Sequence, residues 1–131
     1  MPTDALIALQ AAVTKTATFN GAALILPGGT PRRGLVARVI YSAATQASGS
    51  GVWTFSIDVC YDGVPTLWLA DFVAPPITLT TTAQANEIFL PFSISPTSVA
   101  NGTQVRLSAT LSGSPVTPTI TYSADIVLSR P

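Results

Sequence analysis

The sequence predicts an all-β protein: a single-domain antiparallel β-sandwich, a jelly roll of about eight strands, with a short N-terminal arm or helix. Three observations lead there. Apolar and polar residues alternate with a period of two through most of the interior, as they do in a strand buried on one face. Turn-forming clusters of Gly, Pro, Asn, Asp and Ser interrupt that alternation at short intervals. No long helical pattern lies between the strands, which favours antiparallel neighbours over helical crossovers. The chain has 131 residues, enough for one domain. A chain of that size buries roughly two-thirds of its unfolded surface, so a core forms without metal or disulfide staples.

Taken in order, residues 1–14 stand apart. Asp4 is placed to cap a short helix with Leu6, Ile7, Leu9 and Val13 on or near one side. Two turns are marginal for an isolated helix because nucleation is costly, so an extended arm is the other reading. The segment either packs on another chain or folds back on its own sandwich, and the sandwich itself occupies residues 15–131. An early strand falls within 15–26, and residues 35–42 set Leu35, Ala37, Val39 and Tyr41 on one side. The strongest alternation is over 52–61, where Trp53, Phe55, Ile57, Val59 and Tyr61 oppose Thr54, Ser56, Asp58 and Cys60. Short runs follow at 67–73 and 77–82. Residues 87–94 alternate through Ile88, Leu90, Phe92 and Ile94, and Pro91 within them predicts an edge strand or bulge. The last two strands are 103–112, with Val105, Leu107, Ala109 and Leu111, and 120–128, with Ile120, Tyr122, Ala124, Ile126 and Leu128. Turns are expected at Asn20-Gly21, Pro27-Gly28-Gly29, Ser48-Gly49-Ser50-Gly51, Asp62-Gly63, Pro75-Pro76, Asn101-Gly102 and Gly113-Ser114-Pro115.

The charge content narrows the function. Only 9% of residues are charged, against about 25% in an ordinary soluble domain, and six basic residues balance six acidic ones. One Lys and five Arg scattered among as many acids give no electrostatic footprint for DNA or RNA. No apolar run approaches a membrane-spanning length, and the first ten residues lack the basic start of a signal peptide, so synthesis in the cytosol is expected. A single Cys excludes an internal disulfide; the absence of His removes most zinc sites and every imidazole-based triad. Zero net charge with a mean hydropathy of +0.47 favours association, which suits a surface that partners cover.

Candidate chemistry is sparse. Asp58, Asp62, Asp71, Glu87 and Asp125 are the available acids or bases, yet nothing in their spacing pairs two of them as glycoside hydrolysis requires, nor matches a calcium loop. Cys60 has no His to activate it and reads as a small residue beside a covered surface. Trp53, Tyr61 and Tyr122 are core by phase; Trp68 alone has an ambiguous face and is the one aromatic that would serve a sugar ring. Arg32-Arg33 is the sole local concentration of positive charge, either a solvated loop end or a pair of guanidiniums for carboxylates on another protein. The chain is read as a non-enzyme with no cofactor and no metal.

The stretches Gly34 to Thr45 (GLVARVIYSAAT), Trp53 to Gly63 (WTFSIDVCYDG), Ile77 to Ser93 (ITLTTTAQANEIFLPFS), Val105 to Ser114 (VRLSATLSGS) and Thr117 to Pro131 (TPTITYSADIVLSRP) resemble the cement, or decoration, proteins of tailed bacteriophages, notably short-tailed ones. The resemblance covers most of the chain from Gly34 onward and is one of texture: Ser/Thr-rich alternating strands, an Asp-Gly hairpin and a terminal strand. It implies a jelly-roll protein made in the bacterial host cytoplasm and placed on the outer surface of an icosahedral shell. There it would sit as a homodimer or homotrimer, bridge neighbouring major capsid subunits and stabilise the mature shell. Candidate capsid contacts are Leu6, Ile7 and Leu9 in the apolar N-terminal segment, with Arg32 and Arg33 at the sandwich rim. A carbohydrate- or receptor-binding β-sandwich module of a phage tail or surface protein is the alternative.

Overall fold

The computed structural model of the chain describes residues 6–26, 34–60, 68–94 and 104–128. Among them are ten strands and no helix: β1 (Leu6–Lys15), β2 (Phe19–Asn20), β3 (Leu24–Ile25), β4 (Leu35–Thr45), β5 (Ser48–Cys60), β6 (Trp68–Val73), β7 (Ile77–Thr78), β8 (Gln84–Phe92), β9 (Gln104–Val116) and β10 (Thr119–Leu128). One sheet has the order β1-β10-β4-β8 and the other β2-β9-β5-β6, with β3 also on β9 and β7 also on β5.

Because β2 and β3 both pair with β9, they act as one broken strand, and with the two-residue β7 set aside eight strand positions remain. First then pairs with eighth, second with seventh, third with sixth and fourth with fifth, all antiparallel. Such a pattern is a long hairpin rolled up so that alternate pairs fall in opposite sheets, which is the jelly roll. The expected all-β antiparallel sandwich is therefore what forms.

Period-two alternation decides which side chains lie between the sheets. Trp53, Phe55, Ile57 and Val59 of β5 and Val105, Leu107 and Ala109 of β9 face Ala37, Val39 and Tyr41 of β4 and Ile120, Tyr122, Ala124 and Ile126 of β10, all buried in one cluster. Phe55 and Tyr122 meet edge to face across the gap, ring centroids 4.9 Å apart, an arrangement that adds about 0.5–1.5 kcal/mol beyond area burial. The edges are protected. Pro91 lies in β8, an outer strand, where its missing N–H breaks no interior ladder. At the other edge β1 carries two register shifts, which blunt it as a template for strand addition.

Two expectations are corrected. Residues 6–15 are a strand and not a helix, and of the two placements expected for the N-terminal segment the one folded back on its own sandwich forms, paired with β10. The register shifts at Ala8/Gln10 and Gln10/Val13 explain the misreading: they break the period of two and leave Leu6, Leu9 and Val13 at helix-like spacing. The Gly/Ser runs at 48–51 and 113–115 are not turns either. They extend β5 and β9 as a paired ribbon, with Gly49 opposite Pro115, Ser50 opposite Ser114 and Gly51 opposite Gly113. Gly49 (φ 98°) and Gly113 (φ 84°) hold a left-handed backbone there, and a Cβ on Gly113 would run into the Ser50 carbonyl; only glycine fits so close an approach.

Candidate functional site

On the β1-β10-β4-β8 sheet, alternation turns Val36, Arg38 and Ile40 of β4 away from the core. The ladders set Val36 between Pro91 and Val127, Arg38 between Phe89 and Asp125, and Ile40 between Glu87 and Ser123. Ile40 is 45% exposed and Phe89 52%. The Arg38 guanidinium lies among them, with Nη2 3.4 Å from Asp125 Oδ2 and Nε 3.9 Å from Glu87 Oε2. The first is at the outer limit of a hydrogen bond and the second beyond it. Arg38 Nε is shielded from solvent with no hydrogen-bond partner among the described residues. Ion pairs this exposed contribute about 0–1 kcal/mol to stability.

The outward face of the other sheet carries an internally bonded polar cluster at its centre, with Ile25, Val73 and Val116 exposed toward its edges. Asp58 is buried; its Oδ1 accepts from Ser56 Oγ (3.0 Å), and its Oδ2 from Ser108 Oγ (2.6 Å) and Arg106 Nε (3.1 Å). Asn20 Oδ1 lies 3.0 Å from the Ser108 hydroxyl, which ties β2 to the same cluster. The Arg106 guanidinium in turn sits 4.4 Å over the Trp68 ring. Thr54 pairs with Thr110, and Ser50 with Ser114, further along the face. With three donors on Asp58, the cluster holds four strands in register. Asp58→Ala would orphan the Ser56 hydroxyl and the Arg106 guanidinium and leave the Ser108 hydroxyl only Asn20 Oδ1 as acceptor. Because Arg106 retains some contact with water, a loss of about 2–3 kcal/mol is expected rather than the larger cost of a fully buried orphan charge. A shift in urea midpoint checks this, and Asp58→Asn should cost less.

Inside the sandwich, burial pushes the Tyr122 phenol up from its usual 10.0 to about 12. A folded value above the unfolded one means that the stabilisation is complete below pH 10 and is lost as pH rises toward 12. Absorbance titration at 295 nm should therefore show one tyrosine ionising late, together with unfolding. Among the described residues, no cluster of three His, Cys, Asp or Glu side chains is arranged to hold a metal.

The structure places the sequence-derived contact residues differently from one another. Leu9 is buried in its own core and Ile7 packs against it. Leu6 pairs with Val127, its side chain lying outside the described residues, as do Arg32 and Arg33 entirely. Trp68, whose face the sequence left open, is on the outward side of the second sheet. The residues without a role in the sequence analysis are Ile40, Phe89 and Arg38, while Asp58 enters there only as an available acid. A signal for the first two was present: Val36 and Ile40 on β4, and Phe89 and Pro91 on β8, are apolar in the polar phase of their strands.

No protein-family model matches the sequence, and no curated protein matches it. A chain in the structure of infectious bursal disease virus, Gx strain, is similar over 95% of this chain at TM-score 0.54 and 15% identity; this chain spans 31% of that one's length. A structure described under CBM4 structure and function is similar at TM-score 0.37 and 15% identity, over 93% of this chain and 91% of that one. The N-terminal cellulose-binding domain of Cellulomonas fimi β-1,4-glucanase C gives 0.38 and 14%, over 92% and 88%. At such identity the likeness to the virus chain is one of fold.

Proposed function

We propose that the chain is a structural virion protein that binds the outer surface of an icosahedral phage shell and cements neighbouring major capsid subunits. One observation carries this reading: large apolar side chains, Ile40 and Phe89, stand exposed on one outward sheet face of a protein with few charges and no net charge. Exposed apolar surface of that kind marks an interaction site, and low charge leaves little to keep such a protein apart from its partners. The jelly roll, a fold frequent in viral coats, supports the reading, as does the fold shared with the infectious bursal disease virus chain.

The work is done by linkage. A protein that binds only the assembled shell adds its binding free energy to the shell's resistance to disassembly, multiplied over many copies. Specificity for the mature shell arises when the contact spans two subunits whose spacing is set only after expansion. The role is structural rather than catalytic, the partner is the major capsid protein, and the chain acts on the shell as a homodimer or homotrimer. Adding the purified chain to undecorated shells of the parent virus should give co-sedimentation at saturation and a higher temperature of shell disruption; no sedimentation with shells would sink the reading.

Trp68 favours a second reading, a carbohydrate- or receptor-binding module, because it is an aromatic on an outward sheet face. Its ring already carries the Arg106 guanidinium, so a sugar would have to displace or share that contact. Glycan-array binding lost in Trp68→Ala at unchanged stability would put this reading first.

A further inference from the structure

We propose that the outward face of β1-β10-β4-β8, centred on Arg38, is the docking face, and that it receives a basic side chain presented by the capsid protein within an apolar surround. The proposal rests on the shell-binding reading and adds to it which face binds and what chemistry it meets.

The two outward faces differ in what they leave unsatisfied. At the centre of the second sheet Asp58 and Arg106 balance one for one, with every Asp58 oxygen engaged, while Asp71 on the edge strand β6 accepts from the Ser93 N–H. On the first sheet one guanidinium, Arg38, faces two carboxylates, Glu87 and Asp125, so among the described residues one negative charge is uncompensated at the centre of the face. Both contacts are long, at 3.4 and 3.9 Å, against about 2.8 Å for a strong charge-assisted bond. The carboxylates are half-exposed and keep acceptor capacity for an incoming donor. Val36, Ile40, Phe89 and Pro91 stand around them, apolar side chains able to exclude water from such a contact.

Charge selects the occupant. A second copy applied to this face would bring the same acidic excess against itself, and like charges across an interface oppose association. Lys15, the other described cation of this sheet, has its ammonium 3.5 Å from the Phe19 ring centroid and is engaged there. A partner surface bearing Arg or Lys satisfies the face, and Arg fits best because its fork of donors can meet both carboxylates.

The test uses full-length chain and undecorated shells of the parent virus, with bound copies counted after sedimentation. Phe89→Ser and Ile40→Ser should each weaken binding about tenfold, as loss of a central anchor does. Glu87→Gln should weaken it several-fold, Glu87→Lys further, and added salt should weaken wild type more than Glu87→Gln. Thr110→Lys, on the opposite face, should bind as wild type. All these positions are exposed, so unchanged melting temperatures confirm folding, and the two apolar variants back each other. Shell binding by wild type that is indifferent to the Phe89, Ile40 and Glu87 changes, or lost in Thr110→Lys, overturns the face while leaving the shell-binding reading intact. A shell-free dimer split by Phe89→Ser overturns it in favour of self-association. Wild type that ignores shells altogether overturns both.

Discussion

Trp53→Ala is expected to cost about 3–5 kcal/mol, enough to leave a marginal domain largely unfolded at ambient temperature. Trp53 is wholly buried at the centre of β5, between Ile77 of β7 on one side and Leu111 of β9 on the other. Collapse into the hole is opposed by the unbroken β5–β9 ladder, which pairs every residue from Ser48 to Cys60. Trp53→Phe should cost far less than its lost volume suggests. The indole Nε1 has no hydrogen-bond partner among the described residues, and removing an unsatisfied buried donor returns part of the loss. Trp68→Ala should cost about 0.5–1 kcal/mol, the contribution of a partly exposed cation–π contact. Urea denaturation followed by fluorescence checks all three; equal losses at Trp53 and Trp68 would contradict the assignment of one to the core and the other to the outward face.

Deleting residues 1–12 is expected to be at least as damaging. That deletion removes most of β1, exposes the long β10 edge and empties the site of Leu9, whose truncation alone would cost about 2–5 kcal/mol. The deleted form should melt well below the full chain or aggregate through the uncovered edge. A truncated chain as stable as the full one, deficient only in binding, would restore residues 1–14 to the role of an arm.

The legible parts of this fold were those where period two ran unbroken. Trp53 through Val59 and Ile120 through Ile126 are in the core as their alternation required, and Pro91 is on an edge strand as its missing N–H required. Where the chain departs from regular pairing, the pattern misled. Bulges in β1 imitated helical spacing, and the Gly/Ser runs of β5 and β9 read as turns because nothing local says that each run has the other as its partner. The candidate surface was hidden for a different reason. Arg38, Glu87 and Asp125 are far apart in sequence and meet only through the order β10-β4-β8, while the Asp58 cluster depends on Arg106 falling directly opposite in β9. Long-range register, not residue type, makes both, and a single sequence carries little of it.

The central claim, that this chain is a shell-binding structural protein, is tested most directly by its copy number in purified virions, measured by quantitative mass spectrometry against the major capsid protein. The account predicts copies in the same range as the capsid subunits, removable from the shell without loss of tails; a handful of copies per particle, retained on isolated tails, would contradict it.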